Sequence, residues 1–182
     1  MSSGSSDIRQ LLLRVIEDRL IAALLEHGFR TTPLSENDQR SHELRMSFPF
    51  GCLKRARGVN LDLIEIQLDK QGAAKFVINL GVAPPSGVTL PWANIEQGKA
   101  SVSDLPEWYR LYSFEPWLRW FSPAWFPIDA GGRVNRAVDK SVRLLPEAEA
   151  YFSTGVVGSH MRRTGYPVAS LGVSRLDAGR GV

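Results

Sequence analysis

The chain has one cysteine, three histidines and no long apolar run. A lone cysteine, Cys52, excludes an intramolecular disulfide and fits a reducing compartment. The histidines stand far from one another and from Cys52, without the short ligand spacing of a metal site, so neither a metal nor a cofactor is expected. No apolar stretch approaches the ~20 residues that cross a bilayer. The N-terminal MSSGSSDIRQ lacks the basic-then-apolar layout of a secretory signal, which makes cytoplasmic the expected location. Charge of one sign is scarce as well. The net charge is +3, and the basic residues are scattered apart from Lys54, Arg55 and Arg57 and the pair Arg162-Arg163, so nucleic acid is not the expected partner. Internal repeats and phosphate-cradling loops are missing too; Gly131-Gly132 ahead of a helix is a fragment of an anion site at most. Cys52 paired with His27 or His42 lacks a glycine turn to hold an oxyanion, so no nucleophile and base are expected.

What the chain does have is a strong alternating signal at Asn60 to Val82. Asp62, Ile64, Ile66 and Leu68 fall on one side of a strand, and Leu61, Leu63, Glu65 and Gln67 on the other. Phe76, Ile78, Leu80 and Val82 repeat the pattern against Lys75, Val77, Asn79 and Gly81. Asp69-Lys70-Gln71-Gly72 between them carries turn chemistry, with Gly72 free to take a positive φ. The result is a hairpin with one almost wholly apolar face, which must be covered, and one mixed face bearing two amides.

Around it, Ile8 to Leu25 has helical spacing, with Ser6 expected as N-cap and Gly28 as the residue that ends the helix. Phe29 to Leu34 reads as an edge strand, Ser35 to Ser41 as a polar loop, Leu44 to Phe48 as a half-buried strand and Phe50 to Gly58 as a basic loop. Ala83 to Leu105 is irregular and proline-rich, and Trp92 in its middle predicts that it folds onto the protein. Nine aromatic residues crowd into Trp108 to Phe126. There Pro116 opens an expected short helix through Phe121, and Ala124 to Ile128 reads as a last strand. A turn at Asp129 to Gly132, a helix from Val134, a kink or new helix at Pro146 and a break at Gly155 to Gly158 complete the pattern. These elements predict a single α+β domain over 1–160. An antiparallel sheet of about five strands carries the N-terminal helix and the C-terminal helices mainly on one face, with 161–182 a loosely ordered extension.

Four short stretches in order carry a resemblance: His27-Gly28-Phe29, Ile66 to Lys70, Phe76 to Val82, and Trp125-Phe126-Pro127-Ile128-Asp129 before a helix. Together they resemble a bacterial domain-of-unknown-function family of small α+β proteins with a GF … IQxxK … F–NLG … WW/WF layout. The resemblance spans roughly residues 8 to 155 and departs from the pattern at Gln71, where a Ser or Thr is expected after the lysine. It implies the fold and no activity.

The candidate ligand-binding residues are Gln67, Lys70 and Asn79 on the hairpin, Trp92 in the long loop, and Trp117, Arg119 and Trp125 in the aromatic belt. Amides on a sheet offer both donor and acceptor to a ligand; equally, Gln67 and Asn79 can bond each other or a nearby loop. Trp and Tyr near Arg110 and Arg119 can line a groove, although Trp117, Trp120 and Phe121 also make one face of a packed helix. The expectation is a non-enzymatic binding or interaction domain for a protein or small molecule. The alternatives are an enzyme, which would need a deep pocket with a titratable pair at shifted pKa, and a weak nucleic-acid binder, which would need a continuous arginine stripe.

Overall fold

The computed structural model describes residues 3–113, 120–123 and 129–164. Its helices are α1 (Ser3–Val15), α2 (Ala22–Glu26), α3 (Glu36–Arg40), α4 (His42–Ser47), α5 (Ala130–Arg143) and α6 (Leu145–Thr154). Its strands are β1 (Arg30–Thr32), β2 (Cys52–Arg57), β3 (Asn60–Leu68), β4 (Phe76–Ala83), β5 (Val88–Leu90), β6 (Ala93–Ile95), β7 (Tyr109–Leu111) and β8 (Met161–Arg163). A π-helical segment, Ile16–Ile21, joins α1 to α2 without a break.

Among the described residues six strands form one antiparallel sheet in the order β1-β2-β3-β4-β7-β8, where about five were expected. The β3–β4 hairpin lies at its centre, in the register Glu65↔Asn79, Ile66↔Ile78 and Gln67↔Val77. Its turn closes as the sequence predicts: the Gly72 amide donates to the Asp69 carbonyl at 3.2 Å, and Gly72 has φ of 90°. Ile64, Ile66, Leu68, Phe76, Ile78 and Leu80 are buried in one cluster with Leu12, Ile16, Leu20 and Leu24 of the first helix and Val134, Val138, Leu145, Ala148 and Phe152 of α5 and α6. Burying each of the larger of these side chains contributes about 1.5–3 kcal/mol. The apolar face of the hairpin is therefore the helix-covered face.

The first helix begins at Ser3, so Ser6 lies inside it instead of capping it. Its end is as predicted. Gly28 takes φ of 85°, its amide donates to the Leu25 carbonyl at 2.9 Å, and the Phe29 amide reaches back to Leu24 at 3.1 Å. These two hydrogen bonds satisfy carbonyls that a helix end leaves open, and they tuck Phe29 into the core. Arg9 pins the other end of the helix. Its buried guanidinium donates to the carbonyls of Asp69 at 3.0 Å, Ala73 at 3.2 Å and Met46 at 2.7 Å, tying α1 to the hairpin turn and α4.

Two expectations between residues 35 and 58 are corrected. Leu44, Met46 and Phe48 belong to a helical turn and its end, not to a strand, and the polar loop before it holds α3. The Ser35 side chain accepts from the Asp38 amide at 3.1 Å and the Ser41 side chain from Leu44 at 3.3 Å, so two serine caps outweigh a short alternation. The basic loop expected at Phe50 to Gly58 is instead β2, which pairs along its length with β3.

The segment after β4 folds over the second face of the sheet. The two-stranded β5–β6 ribbon and the turns at Gln97–Lys99 and Val102–Asp104 bury Val88, Ala100, Val102 and Leu105 against Cys52, Leu63 and Ala83. Trp92 is not what holds it there: at the ribbon's tip it is 76% exposed.

Asp129 starts α5, its side chain accepting from the Gly132 amide at 2.9 Å, and Pro146 sits in the first turn of α6. Gly155 ends α6 in the left-handed region. The chain then returns as β8 beside β7, so the sheet extends past position 160. The helix expected from Pro116 falls largely outside the described residues; its last member, Phe121, forms an extended bridge to Phe76 instead. The strand expected at 124–128 lies outside them altogether. Among the described residues no helix is long and apolar enough to cross a membrane.

Candidate functional site

On the second face, strand pairing places Cys52, Glu65, Asn79, Arg110 and Arg162 in one row across β2, β3, β4, β7 and β8. At its centre the Arg110 guanidinium is locked by two amides. Nε donates to Asn79 Oδ1 at 2.7 Å and Nη2 to Gln67 Oε1 at 2.9 Å. Asn79 Nδ2 in turn donates to Gln67 Oε1 at 3.1 Å, so the two amides do bond each other, and both orient the arginine. The Trp108 ring lies 5.5 Å from Arg110 Cζ, and the Tyr112 side chain lies close enough to act on the guanidinium. Burial holds Arg110 below the ordinary arginine range, with Tyr112 acting in the opposite direction. Every partner of this guanidinium among the described residues is neutral: two amide oxygens, a phenol and an indole. A partly desolvated cation without a counter-charge is costly to keep.

Glu65, next to Asn79 in the row, is 7% exposed and accepts from the Val102 amide at 3.1 Å. Burial pushes its carboxyl up to about 7, eased by that amide bond. Opposite it, burial first and the Glu65 charge second push the Cys52 thiol up to about 12. A thiol so placed stays protonated, the reverse of what a nucleophile requires.

Of the other residues singled out from the sequence, Lys70 is exposed at the hairpin turn and meets Glu43 at 3.2 Å, away from Arg110. Trp92 stands on the ribbon tip and joins neither amide. Trp117, Arg119 and Trp125 lie outside the described residues. The sequence marks Arg110 only by its aromatic neighbours, because its alignment with the amides depends on how β7 pairs with β4.

The basic cluster on β2 is engaged internally. Lys54 Nζ donates to the Gly98 carbonyl at 2.7 Å. Arg55 and Arg57 converge on the fully buried Asp62, at 2.9 and 3.1 Å. Arg55 also grips Glu149 through two bonds of 2.9 Å while its guanidinium lies 4.4 Å from the Phe29 ring. The anion-site fragment at Gly131-Gly132 is likewise filled, by the Asp129 carboxylate. Among the described residues no group of three or more His, Cys, Asp or Glu is placed to hold a metal ion. No family model matches the chain, and comparisons with curated proteins and with solved structures return no match.

Proposed function

We propose that this is a non-enzymatic binding domain whose second sheet face recognises an anionic group, a carboxylate or phosphoryl, through Arg110. The observation that carries this is a half-buried guanidinium fixed by Gln67 and Asn79, with no carboxylate partner among the described residues. An arginine presents five N–H donors in a rigid fork that matches planar and tetrahedral oxyanions. Two amide acceptors hold the fork's orientation without neutralising it, which lowers the entropy cost of engaging a ligand. Trp108 and Tyr112 supply an aromatic flank, as expected where a ligand's body packs beside its charge.

The test is a thermal-shift titration with a panel of carboxylates and phosphates on the wild type and on Arg110→Met. A ligand at 100 times its Kd stabilises by about 2.7 kcal/mol, a shift of roughly 5–10 °C for a chain of this size. The wild type is expected to show saturable shifts with some panel members, and Arg110→Met none. Equal shifts in both proteins would reject the site.

A further inference from the structure

At the β1 edge of the sheet, the chain between β1 and β2 folds into a cleft of about 490 Å³, lined by Thr31, Pro33, Leu34, Gln39, Arg45, Pro49, Phe50 and Gly51. We infer that this cleft is a second binding site, for a small organic acid that carries an apolar body and one carboxylate. Its size is that of small-molecule pockets, which run from roughly 300 to 1,000 Å³.

The walls are built, not incidental. At the neck, Gly51 passes so close to the preceding strand that a Cβ would lie 2.2 Å from the Thr32 carbonyl oxygen, and its φ of +66° lies in the left-handed region that favours glycine. The serine caps of α3 and α4 fix the two helical turns, and Gln39 Nε2 donates to the Leu34 carbonyl at 2.7 Å across the opening.

The chemistry of the lining selects the ligand. Leu34, Phe50 and the two prolines offer an apolar bed. Arg45 is the one charged side chain among the lining residues, and it has no ion-pair partner among the described residues. Two carboxylates of the same segment are engaged by other groups: Glu43 meets Lys70 at 3.2 Å, and Asp38 accepts from the Ser35 hydroxyl at 2.7 Å. A carboxylate on the ligand supplies the missing charge with two parallel bonds. An added peptide strand is a poorer fit, because β1 is only three residues long and Pro33, which has no N–H, follows at once.

The experiment titrates 4-phenylbutyrate, and separately its uncharged amide, into isotopically labelled full-length protein, with amide chemical shifts as the readout. The acid is expected to give saturable shifts at Thr31, Gln39, Arg45 and Gly51, and the amide to bind about tenfold more weakly, the worth of a charge-assisted hydrogen bond. Arg45→Gln, at an exposed position, is expected to weaken the acid by about the same factor and erase the preference. Thr31→Trp, also at an exposed position, is expected to fill the cleft and abolish both. Arg110→Met is expected to leave all of this unchanged, which separates this cleft from the sheet-face site. The inference is overturned if the acid gives no saturable shift, if acid and amide bind alike in the wild type, if Arg45→Gln binds as the wild type does, or if Arg110→Met abolishes the shifts.

Discussion

Replacing Asp62 with Ala is expected to cost about 3–5 kcal/mol, the usual penalty for removing one partner of a buried ion pair. Asp62 is fully buried and is shared by Arg55 and Arg57. Without it the two guanidiniums are left side by side on one face of β2 with no carboxylate of β3 between them. Arg55 keeps Glu149 and its place over Phe29, so the larger part of the loss falls on Arg57. For a chain of this length the melting temperature is expected to drop by about 10 °C. In urea the midpoint should fall with the slope unchanged. Exchanging all three residues together for apolar ones of similar volume should recover much of the loss, because the pair's own net contribution is small beside the cost of leaving it broken. A single Asp62→Ala variant as stable as the wild type would show that the cluster is solvated.

The second large effect is a dependence of stability on pH through Glu65. Its carboxyl titrates at about 7 in the folded chain against an ordinary 4.5. Folding therefore takes up protons between those values, and the stability associated with the group is fully present below 4.5 and lost as pH rises through 7. The size follows from about 1.4 kcal/mol per pKa unit, giving about 3 kcal/mol across that window. Glu65→Gln keeps an oxygen for the Val102 amide and removes the charge. Its denaturation curves at pH 5 and pH 8 should differ from those of the wild type by amounts that grow with pH, with the variant the more stable at pH 8. Parallel curves would show that the carboxyl is not desolvated in solution.

The β3–β4 hairpin was legible because apolar side chains occupy alternate positions without interruption from Ile64 to Leu68 and from Phe76 to Leu80. Strand β2 was hidden for a physical reason. Its helix-facing positions are Leu53, Arg55 and Arg57, and the two arginines are admitted to that face only because Asp62 waits there. A period of two in charge does not read as a strand until its counter-charge is known. The α4 turn was misread because Leu44, Met46 and Phe48 alternate, yet all three are only half-buried, and the signal that decided the matter was the serine ahead of them. The general preference of indoles for burial points to Trp92 as the anchor of the long connection, whereas small apolar residues such as Val88, Ala100 and Val102 hold that segment down. At the site, the amide pair was visible from the hairpin alone. Arg110 joins it only through a strand pairing across a long irregular connection, which no local pattern encodes.

The π-helical stretch in the first helix has a consequence for how that helix tolerates change. An ordinary helix turns once in 3.6 residues, whereas a π turn closes over one residue more. Glu17, Asp18 and Arg19, in the wide stretch, are all exposed, while Leu12 and Leu24 to either side are both buried. The bulge thus stores a surplus residue on the solvent side and leaves the flanking turns in the rotational phase they would have had without it. Shortening the chain by one at Asp18 should simply let the coil close, with Leu12 and Leu24 still inward. Shortening it by one at Arg14, outside the bulge, would swing everything ahead of it by about 100° and carry Arg9 away from the three carbonyls it holds.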